Sequence, residues 1–75
     1  MQEYEVMYHK IIATNVKILR KRAKFSQEVL AEKLCCSREF ISRVENFKEK
    51  ISLKMLIHLS VVFETKPEIF FSYLV

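Results

Sequence analysis

The sequence predicts an all-α domain of five short helices, and three features of the chain support that fold class. Its 75 residues include no glycine and a single proline, while 51% are apolar, so turn residues for strand connections are scarce but one small core can form. The apolar residues recur every three or four positions, which is the spacing of an amphipathic helix. Serine also precedes three of these periodic segments, where its hydroxyl can accept hydrogen bonds from unpaired amides.

The first helix is predicted over residues 7–23. Ile12, Val16 and Leu19 follow one face of this segment, and most of its lysines and arginines lie on other faces. The sequence leaves two interpretations open for residues 1–8, which form either an N-terminal arm or an extension of this helix.

Two short helices joined by a tight turn are predicted next. Ser26 is expected to cap a helix over residues 27–34, and Ser37 is expected to cap another over residues 38–46. Only a pair of adjacent cysteines separates them. This arrangement predicts a helix-turn-helix over residues 27–46.

Two further helices complete the predicted domain. Ser52 is expected to cap the fourth helix, over residues 53–63, with Leu53 among its inward positions. Pro67 suits the first turn of a fifth helix, where a missing amide costs nothing, and that helix is expected to end near Tyr73.

Positive charge is concentrated in the middle of the chain. Residues 10–50 hold eleven Lys or Arg against five Glu, within a net charge of +4 for the whole chain. A cation-rich segment beside a neutral, apolar one favours one face for a polyanion and another for packing. A basic, merely soluble surface explains the charge equally well.

The cysteines and histidines do not form a recognisable catalytic or metal-binding set. Cys35 and Cys36 are adjacent, which would strain a disulfide between them, and His9 and His58 lie far away along the chain. We therefore expect no enzyme activity, no metal and no cofactor. No segment approaches about eighteen consecutive apolar residues and no signal peptide is evident, so we expect a cytoplasmic protein without membrane contact.

The identities of residues 19–46 give a more specific signal than the helical spacing of the apolar residues. The stretch reads LRKRAKFSQEVLAEKLCCSREFISRVEN, and it resembles the Cro/repressor (XRE-type) helix-turn-helix DNA-binding family in its SQ, LA, S, IS and EN positions. The resemblance covers roughly residues 10–71. It implies a single five-helix, phage-repressor-like DNA-binding domain over residues 1–75, whose third helix is the recognition helix. It also implies a sequence-specific, double-stranded DNA-binding transcription regulator, such as a repressor or controller protein.

The resemblance also assigns DNA contacts to the helix-turn-helix. Base contacts fall on Arg38, Glu39, Arg43 and Phe40; arginine can donate two hydrogen bonds to guanine, and glutamate can accept one from cytosine. Packing against the second helix is an equally good role for Phe40. Contacts to DNA phosphates fall on Gln27, Ser37, Ser42, Asn46, Lys48 and Lys50.

Two structural features follow from the same resemblance. Arg20 and Glu45 stand where the family has a partly buried ion pair between its first and third helices. Cys35, Phe47 and Glu64 stand where the family usually has glycine. Because such positions often require a positive φ, we expect strained turns at these three residues.

The apolar C-terminal region, residues 53–75, is predicted to form a homodimer interface through the fourth and fifth helices. A dimer would bind two half-sites of operator-like DNA about 34 Å apart. The alternative is that residues 1–8 fold back over this apolar surface. A second possible function is a protein-interaction module on a helix-turn-helix scaffold, such as an antitoxin-like partner. The predicted interface residues are Ile57, Val61, Val62, Phe71, Tyr73 and Leu74.

Overall fold

Four α-helices followed by one 3-10 helix make up the part of the chain that the computed structural model describes, residues 2–74. Met1 and Val75, which the predicted N-terminal and C-terminal ranges include, lie outside the described residues. The described chain is all-α, as predicted. The helices are α1 (Gln2–Arg22), α2 (Gln27–Leu34), α3 (Arg38–Glu45), α4 (Leu53–Val62) and the 3-10 helix (Pro67–Phe71).

Helix α1 begins five residues earlier than the predicted start at residue 7. Glu3 and Glu5 lie in its first turn, where negative charge interacts favourably with the partial positive charge of a helix N-terminus. The first buried residue of α1 is Ile11. Residues 2–8 are therefore a helical extension of α1 rather than an arm, and all seven of them are exposed.

The predicted fifth helix is a 3-10 helix that is anchored to a buried amide in α1. Nδ2 of Asn15 donates to the backbone carbonyls of Ile69, Phe70 and Ser72 at 3.3, 2.8 and 2.6 Å. These bonds satisfy the buried amide and hold the C-terminal segment against α1. The five residues of Pro67–Phe71 close with bonds three residues apart, as short 3-10 segments do.

Three serine hydroxyls begin α2, α3 and α4, and all three predicted caps are confirmed. Ser26 accepts from the backbone N–H of Val29 at 3.0 Å, and Ser37 accepts from that of Phe40 at 3.1 Å. Ser52 caps α4 in the same way. Each cap satisfies an amide that the helix leaves unpaired and contributes about 1 kcal/mol.

The core lies where the five elements meet. One fully buried side chain from each of them takes part: Val16, Leu30, Ile41, Leu59 and Phe70. Burial of one such side chain stabilises the fold by about 1.5–3 kcal/mol. Among the described helices, none is both long enough and apolar enough to cross a membrane.

Leu53 was predicted to face the core, and this is wrong: it is 71% exposed. It stands four residues before Ile57 and eight before Val61, so it shares their outward stripe along α4. The buried positions of α4 are Leu56, Leu59 and Ser60.

Each of the helices α1 to α4 is followed by a non-glycine residue with a left-handed backbone conformation. Among the described residues, four non-glycine residues have φ between 53° and 63°. After α2, the amide of Cys36 donates back to the carbonyl of Ala31 at 2.9 Å, and the same six-residue closure follows the other three helices. The prediction for three of these positions is confirmed, and the fourth was not foreseen. The four residues are Lys24, Cys35, Phe47 and Glu64.

We expect Cys35→Gly to stabilise the protein. A left-handed conformation costs a non-glycine residue about 1–2 kcal/mol. Glycine avoids that strain but loses more conformational entropy on folding, which costs about 0.5–1 kcal/mol. A net gain in stability of about 0.5–1 kcal/mol therefore remains. Thermal unfolding should show a rise in Tm of about 2–8 °C. Glu32→Gly is the control, since this exposed residue of α2 is helical, and there glycine should lower stability by about 1 kcal/mol. A lower Tm for both variants would contradict strain at Cys35.

Candidate nucleic-acid interface

One buried carboxylate joins the first three helices. Oε2 of Glu45 accepts from Nε of Arg20 at 2.7 Å, and its Oε1 accepts from Nη2 of the same guanidinium at 3.0 Å. Oε1 also accepts from Nε2 of Gln27 at 3.1 Å. This Arg20–Glu45–Gln27 network therefore holds α1, α2 and α3 in one fixed arrangement.

The same guanidinium also fixes the connection between α1 and α2. Nη1 of Arg20 donates to the backbone carbonyl of Phe25 at 2.8 Å, one residue before the serine cap of α2. The side chains of Arg20 and Glu45 are 11% and 2% exposed. Two charges buried this deeply cost several kcal/mol unless they are paired and hydrogen-bonded, and here both conditions are met.

Helix α3 has one face in the core and one face in solvent. Ile41 and Val44 are buried, and the predicted base-contacting residues Arg38, Glu39 and Arg43 are all exposed. Arg38 and Glu39 are neighbours whose charged groups lie 3.8 Å apart. The structure thus places three charged side chains on the outer face of the helix that follows the tight turn.

Phe40 packs inward from the same helix. It is half-buried and lies against the core cluster, which is the packing role that the sequence left open for it. The guanidinium carbon of Arg43 lies 5.9 Å from the centre of its ring, within range of a cation–π contact. The Phe40 ring therefore contacts the Arg43 guanidinium from the core side of α3.

Of the predicted phosphate contacts, two amides are used inside the fold. Gln27 belongs to the Arg20–Glu45–Gln27 network, and Nδ2 of Asn46 donates to the carbonyl of Ser42 at 2.8 Å, just past the end of α3. Ser37 is exposed, and its oxygen accepts the cap bond while its O–H remains a donor. Lys48 is exposed.

Lys50 contacts the N-terminal extension of α1. Its Nζ donates to Oε2 of Glu5 at 2.7 Å, and Nε2 of His9 lies 3.7 Å from the same oxygen. The hydrogen bond and positive charge of Lys50, with a smaller contribution from His9, hold the pKa of Glu5 below its ordinary value of 4.5. Arg43 has a similar partner, because its Nε donates to Oε1 of Glu49 at 3.1 Å.

Sequence reasoning missed both acidic partners, Glu5 and Glu49. Nothing in the local pattern links Glu5 to a lysine 45 positions later, because the contact depends on the length and direction of the α1 extension. Asn15 was also missed, although a polar residue between Ile12 and Val16 on an apolar face is a usable signal for a buried hydrogen bond.

The predicted dimer residues divide into two groups. Ile57, Val61, Phe71 and Tyr73 are exposed. Val62 is half-buried because it packs partly against the core of its own chain, and its place in an interface stays a prediction.

Leu74 is also half-buried. Its carbonyl accepts from Nη2 of Arg22 at 3.0 Å, and it lines a depression beside Met7 and Ile11 of α1. The α1 extension covers part of the apolar surface, since the ring of Tyr8 lies 6.1 Å from that of Phe71. This cover does not reach Ile57 and Val61 of α4, which stay exposed.

A family model described as helix-turn-helix matches residues 16–70 of the chain. The chain belongs to this family, of the Cro/repressor (XRE) type. The match spans every element described above, from the middle of α1 into the 3-10 helix. Family membership makes DNA binding in transcription regulation the general function of the domain.

A solved structure shows the same fold. The crystal structure of a hypothetical transcription factor, NHTF, from Neisseria aligns with a TM-score of 0.81 and 21% sequence identity. The alignment covers 88% of this chain and 76% of that one. No curated protein matches the chain in sequence.

No cluster in residues 2–74 brings together three or more side chains of the types that bind metal ions. Cys35 is exposed and Cys36 is half-buried, and both are free thiols. Burial, with a smaller contribution from the neighbouring Cys35, raises the pKa of the Cys36 thiol above its ordinary value. That direction makes Cys36 less reactive at neutral pH.

We expect Arg20→Met to lower the free energy of unfolding by about 3–5 kcal/mol. The substitution leaves the Glu45 carboxylate buried with only Gln27 as donor. Urea denaturation followed by circular dichroism measures the change. Lys21→Met is the matched control, because Lys21 is exposed and its loss should change stability by no more than about 0.5 kcal/mol.

The double variant Arg20→Met/Glu45→Leu separates a stranded charge from lost packing. Removing both charges should recover most of the lost stability, since an apolar pair of similar volume is often as stable as a buried ion pair. Equal stability of Arg20→Met and Lys21→Met would contradict the role of the network.

Proposed function

We propose that this protein is a sequence-specific regulator of transcription that binds double-stranded DNA as a homodimer through α3. The main observation is the outer face of α3, where Arg38, Glu39 and Arg43 are exposed on a helix that the Arg20–Glu45–Gln27 network fixes in place. A recognition helix enters a major groove with its exposed polar side chains facing the base edges, so a fixed helix with a charged outer face suits this role.

The chemistry of these side chains suits base recognition. An arginine can donate two hydrogen bonds to O6 and N7 of guanine, and a glutamate can accept one from N4 of cytosine. We therefore propose half-sites that contain G·C pairs, read by Arg38, Glu39 and Arg43. Phe40, which packs on the core, is proposed to orient Arg43 rather than to contact a base directly.

Contacts to the DNA backbone are assigned to residues at the two ends of α3. Ser37 and Ser42 keep hydroxyl protons that can be donated to phosphate, and Lys48 and Lys50 are exposed cations in the following loop. Gln27 retains a second amide N–H for the same purpose. Asn46, whose amide is engaged with Ser42, is assigned to the end of α3 and not to DNA.

The proposed dimer interface is the outward stripe of α4. Leu53, Ile57 and Val61 follow one another at four-residue intervals and are 71%, 47% and 68% exposed. Phe71 and Tyr73 add exposed aromatic surface near the C-terminus. Contiguous apolar surface of this kind commonly marks an interface, and a second copy would bury the same stripe by two-fold symmetry.

We expect selection from a random double-stranded DNA pool to yield a two-fold symmetric motif with half-site centres about 34 Å apart. The purified wild-type protein serves as the bait, and sequencing of the retained DNA gives the motif. No enrichment by a folded protein at moderate salt would contradict the regulator function and direct attention to a protein partner.

Two variants in the same selection separate base contacts from the dimer. Arg43→Ala should weaken binding to DNA by about 1–3 kcal/mol and relax the base preference at one position of each half-site. The control Lys48→Ala should weaken binding to all sequences uniformly.

Val61→Lys places a charge in the proposed interface. It should reduce the selected motif to one half-site, and the variant should be a monomer in analytical ultracentrifugation. A symmetric motif retained by a Val61→Lys dimer would overturn the proposed interface.

A further inference from the structure

Two cations of the proposed DNA face are already paired with carboxylates in the free protein. Arg43 donates to Glu49 at 3.1 Å, and Lys50 donates to Glu5 at 2.7 Å. Both carboxylates come from outside α3, one from the following loop and one from α1. The two pairs engage Nε of Arg43 and one N–H of the Lys50 ammonium, and they hold both charged groups against protein carboxylates.

Both pairs lie at one place in the fold. Glu5, Glu49 and Lys50 line a single shallow depression between the α1 extension and the loop after α3, with Val6 and Phe47 among its other walls. The helix-turn-helix family match begins at residue 16, so the α1 extension lies outside it and brings the Glu5 carboxylate to the edge of the proposed DNA face.

An approaching duplex competes with these partners. To give all of its N–H donors to DNA, each cation must leave its carboxylate, and the released carboxylate then lies close to DNA phosphates of the same charge. Both effects oppose binding, and both are short-range electrostatic effects that added salt screens.

We propose that Glu5 and Glu49 compete with DNA for Lys50 and Arg43, and that they thereby lower the affinity of the proposed DNA-binding face and alter its specificity. This inference rests on the proposed function. Glu5 competes with phosphate for Lys50 and lowers affinity for every duplex alike. Glu49 competes for Arg43, and a guanine that takes two hydrogen bonds from this guanidinium must break the pair, whereas a random duplex can be bound with the pair intact. Glu49 therefore lowers the affinity for the selected site more than the affinity for random DNA.

The test compares acidic-to-amide variants that all change the net charge by the same amount. Glu5→Gln and Glu49→Gln remove the two competitors. Glu68→Gln, in the 3-10 helix that packs against α1 and α4, and Glu3→Gln, in the first turn of α1, are matched controls. Fluorescence anisotropy gives Kd for a labelled random-sequence duplex and for the duplex selected by the wild-type protein.

We expect Glu5→Gln to tighten binding of both duplexes by about threefold to fivefold at about 50 mM salt, and by much less at about 200 mM salt. Glu49→Gln should tighten binding of the selected duplex by a similar factor but change the random duplex less than twofold, roughly, so specificity rises. Each control should produce less than half of the Glu5→Gln effect. In a Lys50→Met background, Glu5→Gln should do no more than the controls.

Carboxyl NMR titration tests whether the Glu5 pair exists in solution. The Glu5 pKa should lie below 4.5 in the wild-type protein and return toward 4.5 in Lys50→Met. An ordinary pKa in the wild-type protein, or equal effects of Glu5→Gln and Glu68→Gln on Kd, would overturn the inference while leaving DNA binding intact. Failure of the folded wild-type protein to bind either duplex would overturn the proposed function itself, and this inference with it.

Discussion

The Arg20–Glu45–Gln27 network is the interaction on which the orientation of the helix-turn-helix depends. Its one carboxylate accepts hydrogen bonds from α1 and α2 while it belongs to α3. In 75 residues the hydrophobic core is small, and apolar contacts alone allow helices to slide by fractions of a turn. Directional bonds to one buried charge do not, because misalignment leaves that charge unpaired. The outer face of α3 is consequently rigid relative to the rest of the domain.

The helix boundaries around this network could be predicted from the sequence because they depend on local chemistry. Ser26, Ser37 and Ser52 each stand immediately before an apolar-periodic segment, and a cap acts on amides only two or three residues away. The left-handed positions at Cys35 and Phe47 were foreseen through the family's glycines, since backbone geometry at a helix end is conserved in three dimensions even where the residue is not glycine.

Other features depend on contacts between distant parts of the chain and could not be predicted. The Pro67–Phe71 segment is held against α1 by Asn15, more than fifty positions earlier. The Lys50–Glu5 pair requires α1 to begin at Gln2, a start that no cap residue marks. Periodicity alone also placed Leu53 inside, although register against its neighbours puts it outside, because at the first turn of a helix few preceding positions define the inner face.

Backbone hydrogen exchange in the presence of DNA tests most directly whether α3 carries the DNA-binding face. Amide exchange would be followed by NMR for the free protein and for its complex with the selected duplex. We expect slower exchange or shifted resonances at the first turns of α2 and α3 and in the loop over residues 46–50. Changes confined to α4 and the α1 extension, with α3 unaffected, would contradict a DNA-binding face on α3.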